Sequence, residues 1–359
     1  MPMRQAIPRN DGCRISDEWT YRGQRVLVME NDSLRVVILL DKGSDIMTFE
    51  HKPTGIDALW KAPWGDILAP GDQITSRPRA EGNFSDYHEG GWQECFPNGG
   101  RVCEYRGAEL GLHGEVFGLP WECRIVEDGR DQVAAELAVR TRRTPFLLRK
   151  TLRMERGSAS LEISETVTNE GRHPMEFMWG HHPAFGEPLL SGETVVTTGA
   201  RTARLHPGDD PESRFAGDVV AEPSSVPGRS GEPIDILRIP APGDVASDMF
   251  YLTDMEEGFY ALTNTRLGLG FGMEFDPQVF PCLWYWIACN APAGAPFHGR
   301  SYTVALEPFT SWPAILTNAI ANGTQRELAP GASLGTTLRA GMFQSDSPPQ
   351  RSEELRFRP

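Results

Sequence analysis

Long hydrophobic runs are missing from this chain, and so is a surplus of positive charge. No segment approaches the ~20 apolar residues needed to cross a bilayer, so no membrane span is expected. The 359 residues carry 49 Asp and Glu against 35 Lys and Arg, a formal charge of −14. That balance argues against a nucleic-acid partner, because binding a phosphate backbone requires clustered Lys and Arg. The densest basic run, "RTRRTPFLLRK" from Arg140 to Lys150, alternates like the solvated face of a sheet. Cysteine is scarce too: none of the six forms a Cys-x-x-Cys pair, which leaves a zinc site without support. The opening "MPMRQAIPRNDGCR" has no apolar core of a secretory signal. A reduced, cytoplasmic protein is therefore expected. No phosphate loop of the GxxxxGK[ST] type occurs. "GLGFG" at Gly268–Gly272 sits inside a strand-like run with no helix after it, so it is no dinucleotide fingerprint. The expectation is a protein with no cofactor and no metal.

Sustained helical periodicity is nearly absent as well, whereas strand-like alternation is frequent. The 37 glycines and 29 prolines are spread along the chain and cut it into short segments. "SLRVVILLDKGSDIMTFEHK" reads as two strands around a turn at Asp41–Gly43. "QVAAELAVRTR", "FLLRKTLRME" and "ASLEISETVTNEG" read as three successive strands. "GFYALTNTRLGLGFGMEFD", "CLWYWIACN" and "RSYTVALEPF" continue the style. Turn signals every 8–15 residues indicate an all-β sandwich or barrel. The stretch from about Gly199 to Pro240 is poor in apolar runs and reads as a long excursion between strands. "SWPAILTNAIANG" suits one short helix. Length alone allows two domains, but the patterning is uniform. We expect one domain over residues 1–342 and a poorly ordered polar tail over 343–359.

Histidine is rare, with eight in all, yet His181 and His182 are adjacent in "MWGHHPAFGEP". Consecutive strand residues point to opposite faces, so only one of them serves a given site. Trp179, Pro183 and Phe185 would desolvate it and favour the neutral ring; a hydrogen-bonded core histidine is the plainer alternative. His113 precedes Gly114 in "ELGLHGEVFGLPW", where a glycine lets backbone or ligand come close, although a turn histidine is the plainer reading. Glu307 ends the apolar strand "VAL" before Pro308, and a buried acid there needs a partner or a purpose; at the surface it would need neither. Asp248 begins a strand in "VASDMFYL" and also suits a turn cap. "YHEGGWQECFPNGGR", from Tyr87 to Arg101, mixes aromatic and polar groups in the way that suits a sugar.

Taken in order, "LHG" at 112–114, "HHPAF" at 181–185, "SDMF" at 247–250 and "LEPF" at 306–309 resemble the aldose 1-epimerases, or galactose mutarotase-like proteins. "LLDKGSDIMTFEHKPTGIDALW" resembles that family's first hairpin. "GGWQECFPNGG" is similar to a loop of the branch containing hexose-6-phosphate mutarotases. The likeness spans about Val26 to Arg339. It implies a large antiparallel β-supersandwich with an open cleft for a small-molecule sugar. By motif, it implies His182 as general acid, Glu307 as general base, and His113, Asp248 and Arg101 as sugar-binding residues. His181 stands where the galactose enzymes have Asn, and Ala184-Phe185-Gly186 replaces Tyr-Phe-Asn. Both departures point away from galactose itself as the substrate.

The implied reaction opens a sugar ring and recloses it on the other face of C1. One group removes the proton of the anomeric hydroxyl while another protonates the ring oxygen, and each transfer contributes ~10²–10⁴-fold. Two other readings fit the same residues. One is a carbohydrate-binding protein without turnover; the other is a metal-dependent sugar isomerase using His113, His181 or His182 as ligands.

Overall fold

The computed structural model of the protein describes residues 9–64, 80–208 and 210–358. Its first four long strands, β1 (Arg14–Tyr21), β2 (Gln24–Glu30), β3 (Leu34–Leu39) and β4 (Ile46–His51), form an antiparallel meander. The helix α1 (Ala80–Tyr87) leads into β5 (Trp92–Cys95), which meets β4 at Ile46. A second meander follows: β6 (Glu122–Asp128), β7 (Gln132–Arg140), β8 (Phe146–Glu155) and β9 (Ser160–Asn169). The remaining long strands are β10 (Gly180–Phe185), β11 (Thr194–Leu205), β12 (Ala246–Asn264), β13 (Leu269–Glu274), β14 (Cys282–Cys289), β15 (Tyr302–Phe309) and β16 (Ser333–Gln344). The short helix α2 (Leu316–Asn322) stands where the sequence placed one.

β12 joins two layers. Ala246–Leu252 pairs with β14, whereas Phe259–Asn264 pairs with β13. β11 follows both halves, with a register shift between Thr198 and Ala200 where the ribbon bends; extra residues of this kind re-aim a strand. One layer runs from β12 through β14, β15, β10, β5 and β4 to the first meander. The other runs through β13, β16 and β9 to the second. Apolar side chains fill the space between them: Phe271 of β13 lies against Phe49, Trp92 and Phe185 of the opposite layer. This is the expected antiparallel all-β sandwich. No helix among the described residues is long and apolar enough to cross a membrane. All six cysteines are unpaired.

Two expectations differ from the structure. Residues Gly199–Leu205, read as part of the excursion, continue β11, with Ala200–Leu205 pairing against Phe250–Met255 of β12. The tail is also packed. Leu355 and Phe357 are buried against Phe259, Ala261 and Phe343, and the Phe357 carbonyl accepts a hydrogen bond from the Ala159 amide at 2.9 Å. Two apolar residues spaced by two are enough to dock an otherwise polar segment.

Candidate active site

Strands β10 and β15 are neighbours, with Gly180 opposite Phe309 and Ala184 opposite Ala305. The same antiparallel register sets His182 across from Glu307. On its other side His182 pairs with Gln93, and Glu307 pairs with Trp284. Directly opposed residues share a face, so Gln93, His182, Glu307 and Trp284 form one row across four strands. Gly180 lets this arrangement close up: a Cβ there would sit 2.5 Å from the Phe309 ring, which instead stacks on Trp284 at 3.6 Å between centroids.

His182, Glu307 and Trp284 of this row form the floor of a cleft of about 430 Å³. His182 Nε2 lies 3.6 Å from Glu307 Oε1, too far for a hydrogen bond. His182 Nδ1 and Glu307 Oε2 are buried and have no partner. Burial pushes the His182 imidazolium down to about 4 and the Glu307 carboxyl well above the usual carboxylate range. Both shifts favour the uncharged forms, a carboxylic acid beside a neutral imidazole, which together hold one proton. Carboxylate beside imidazolium would hold the same number.

His113 stands at the "HG" turn with its ring 5.0 Å from that of His182. Its φ is +58°, and Gly114 packs so tightly that a Cβ there would lie 2.1 Å from the Phe96 carbonyl. Burial, then the nearby His182, holds His113 well below the ordinary histidine range, and its Nδ1 is unpartnered. Arg101 is exposed and lines the same cleft. Asp248 lies beyond it, in a neighbouring hollow. Its carboxylate accepts from the Ser213 hydroxyl (2.9 Å), the Arg214 amide (2.9 Å) and Arg214 Nε (2.7 Å). Of about four acceptor sites on a carboxylate, one remains.

The sequence reading missed His88, although it lies in the quoted "YHEGGWQECFPNGGR". The His88 ring is 5.6 Å from that of His182 and perpendicular to it. Its Nε2 is buried and unpartnered. Burial first, then His182 and Lys42, keeps it well below the ordinary range. The adjacent Glu89 anchors it: Glu89 and Asp45 both bind the buried Lys42, at 2.7 and 2.6 Å. Burial raises Asp45 to about 7. Trp286, His206 and Asn318 complete the walls. No motif singled these out; alternation in "CLWYWIACN" places Trp284 and Trp286 on one face.

His181 points to the opposite face, as alternation requires. Trp92 Nε1 donates to its Nδ1 at 3.1 Å. An indole only donates, so the neutral ring carries its proton on Nε2, which donates to Glu165 at 2.9 Å. Beside it, Glu94 binds Lys150 at 2.8 Å and accepts from Trp179 at 2.9 Å. Among the described residues, no three His, Cys, Asp or Glu side chains are arranged to hold a metal ion.

No curated protein matches the chain. Solved structures resemble it in fold at low identity. A "putative aldose 1-epimerase" of Klebsiella pneumoniae superposes with a TM-score of 0.73 at 16% identity, over 93% of this chain and 84% of that one. A galactose mutarotase-like protein of Clostridium acetobutylicum gives 0.64 at 13%, over 93% and 99%. A galactose mutarotase related enzyme of Lactobacillus acidophilus gives 0.58 at 16%, over 90% and 99%. At such identities the likeness establishes the galactose mutarotase-like fold. Residues 21–341 match the family described as Domain of unknown function (DUF4432), and the chain belongs to that family.

Proposed function

We propose that the protein interconverts the α and β anomers of an aldose by acid/base ring opening. The observation that carries this reading is the opposition of His182 and Glu307 on adjacent strands, at the floor of a cleft sized for a small molecule. With a sugar seated over both, Glu307 removes the proton of the C1 hydroxyl while His182 protonates the ring oxygen. Reclosure after C1–C2 rotation reverses both transfers, so the pair returns to its starting state. The pair enters with one proton and leaves with one.

His113, His88 and Arg101 supply polar contacts to the hydroxyls. Trp284 and Trp286 offer apolar surface to a ring face. Asp248 acts mainly by holding the Ser213–Arg214 segment, with one acceptor left for a ligand. The fold neighbours with epimerase or mutarotase names support the reaction type as a proposal. The test is exchange NMR between anomers over a panel of neutral, phosphorylated and acidic aldoses. Faster exchange at catalytic protein concentration supports the reading. Saturable sugar binding without faster exchange replaces it with a binding protein, and loss of exchange on chelation replaces it with a metal-dependent isomerase.

A further inference from the structure

The cleft does not end at the acid/base pair. Arg101, His206, Pro207, Met249 and Trp286 line the reactive chamber and also a second hollow of about 540 Å³. The two spaces therefore lie side by side against these shared side chains. Each falls in the range that encloses a small organic ligand, so one pyranose at Glu307 leaves the second hollow unfilled.

The second hollow is built, yet it carries no reactive pair. Asp248, 3% exposed, is neutralised by Arg214 and fixed by Ser213. Asp210 accepts from the Ser247 hydroxyl at 2.9 Å. Phe215, Met249, Pro207 and Trp286 give it apolar surface beside these polar groups. Apolar patches with a few fixed polar groups match the faces and rim of a second sugar ring. They offer nothing for proton transfer at its anomeric centre.

Resting on the proposed function, we propose that the substrate is a reducing disaccharide or longer glycan. The reducing ring occupies the chamber of His182 and Glu307, and the next unit occupies the hollow of Ser247 and Asp248. The chemistry restricts the linkage. C1 of the reacting ring must carry a free hydroxyl to open, so the second unit is attached through another oxygen. Sugars joined through both anomeric carbons are excluded.

The experiment compares anomer exchange of glucose, galactose, maltose, cellobiose, lactose and melibiose by NMR. The expected result is a kcat/KM at least about tenfold higher for one or more disaccharides than for either monosaccharide, equivalent to ~1.4 kcal/mol. Pro211→Trp, on the exposed rim of the second hollow alone, should erase most of that preference, and Ser247→Ala should reduce it. Equal or higher kcat/KM for monosaccharides overturns the proposal, as does an unaltered preference in folded Pro211→Trp protein. Exchange of no sugar at all sinks the acid/base reading instead. Calorimetric binding of the same sugars then decides the second hollow separately: tighter disaccharide binding that weakens in Pro211→Trp supports it, and equal binding overturns it.

Discussion

His182 and Glu307 are 125 residues apart in the chain but opposite each other in one ladder, 3.6 Å between Nε2 and Oε1. The strands that carry them are hydrogen-bonded neighbours, so their spacing is set by sheet geometry and not by a flexible loop. Catalytic groups held on rigid elements keep their geometry better than groups on loops.

Replacing Glu307 by Gln keeps the shape and removes the proton transfer. Turnover should fall by ~10²–10⁴-fold, as expected for loss of one general acid–base group. Sugar binding should remain measurable by calorimetry. Unchanged turnover would remove Glu307 from the mechanism.

The pH profile follows from the proton count of the pair. Burial depresses His182 to about 4, so below that pH the pair carries two protons and no base. Burial raises Glu307, so the single proton is lost only above the ordinary carboxylate range, and then no acid remains. kcat/KM should therefore form a broad bell whose acid limb lies near pH 4. An acid limb near 6.5 would show that the imidazole is not desolvated.

His88 offers an unpartnered buried nitrogen next to His182. His88→Ala should raise KM by roughly 2–10-fold, the equivalent of one hydrogen bond of ~0.5–1.5 kcal/mol, with a smaller change in kcat. Steady-state kinetics separates the two. A fall in kcat with KM unchanged would give His88 a different role.

Lys150→Met leaves Glu94 buried without its cation. The expected cost is about 3–5 kcal/mol of stability, read from the denaturation midpoint. The network lies on the face away from the cleft, so kcat of the folded protein should change little. A large loss of kcat at unchanged stability would connect this network to the chemistry.

Gly180→Ala drives a methyl group into the Phe309 ring, where the Cβ would lie 2.5 Å away. Overpacking of this kind costs ~1–3 kcal/mol, and it displaces the strand bearing His182. Both thermal stability and kcat should fall. A neutral result would mean that Phe309 can move aside.

Period-two alternation carried most of the architecture, because an antiparallel strand buried on one side must alternate whatever its neighbours are. It also separated His181 from His182, and the short motifs around them pointed to Glu307 and His113. Pairing partners were not readable: nothing local tells Val304–Phe309 that it will lie beside Gly180–Phe185, since register depends on how both layers bury their faces together. The same holds for His88. Its fragment reads only as a mix of aromatic and polar groups, and the fold alone brings His88 within reach of His182. The packed tail shows the reverse error, because Leu355 and Phe357 are too few to register as a pattern but find a ready hydrophobic slot. The sequence alone thus determined which residues are capable of the chemistry, through side-chain type and strand periodicity. The tertiary structure decided which of them meet and which are desolvated, because proximity and burial are properties of the packed sheets and of no single segment.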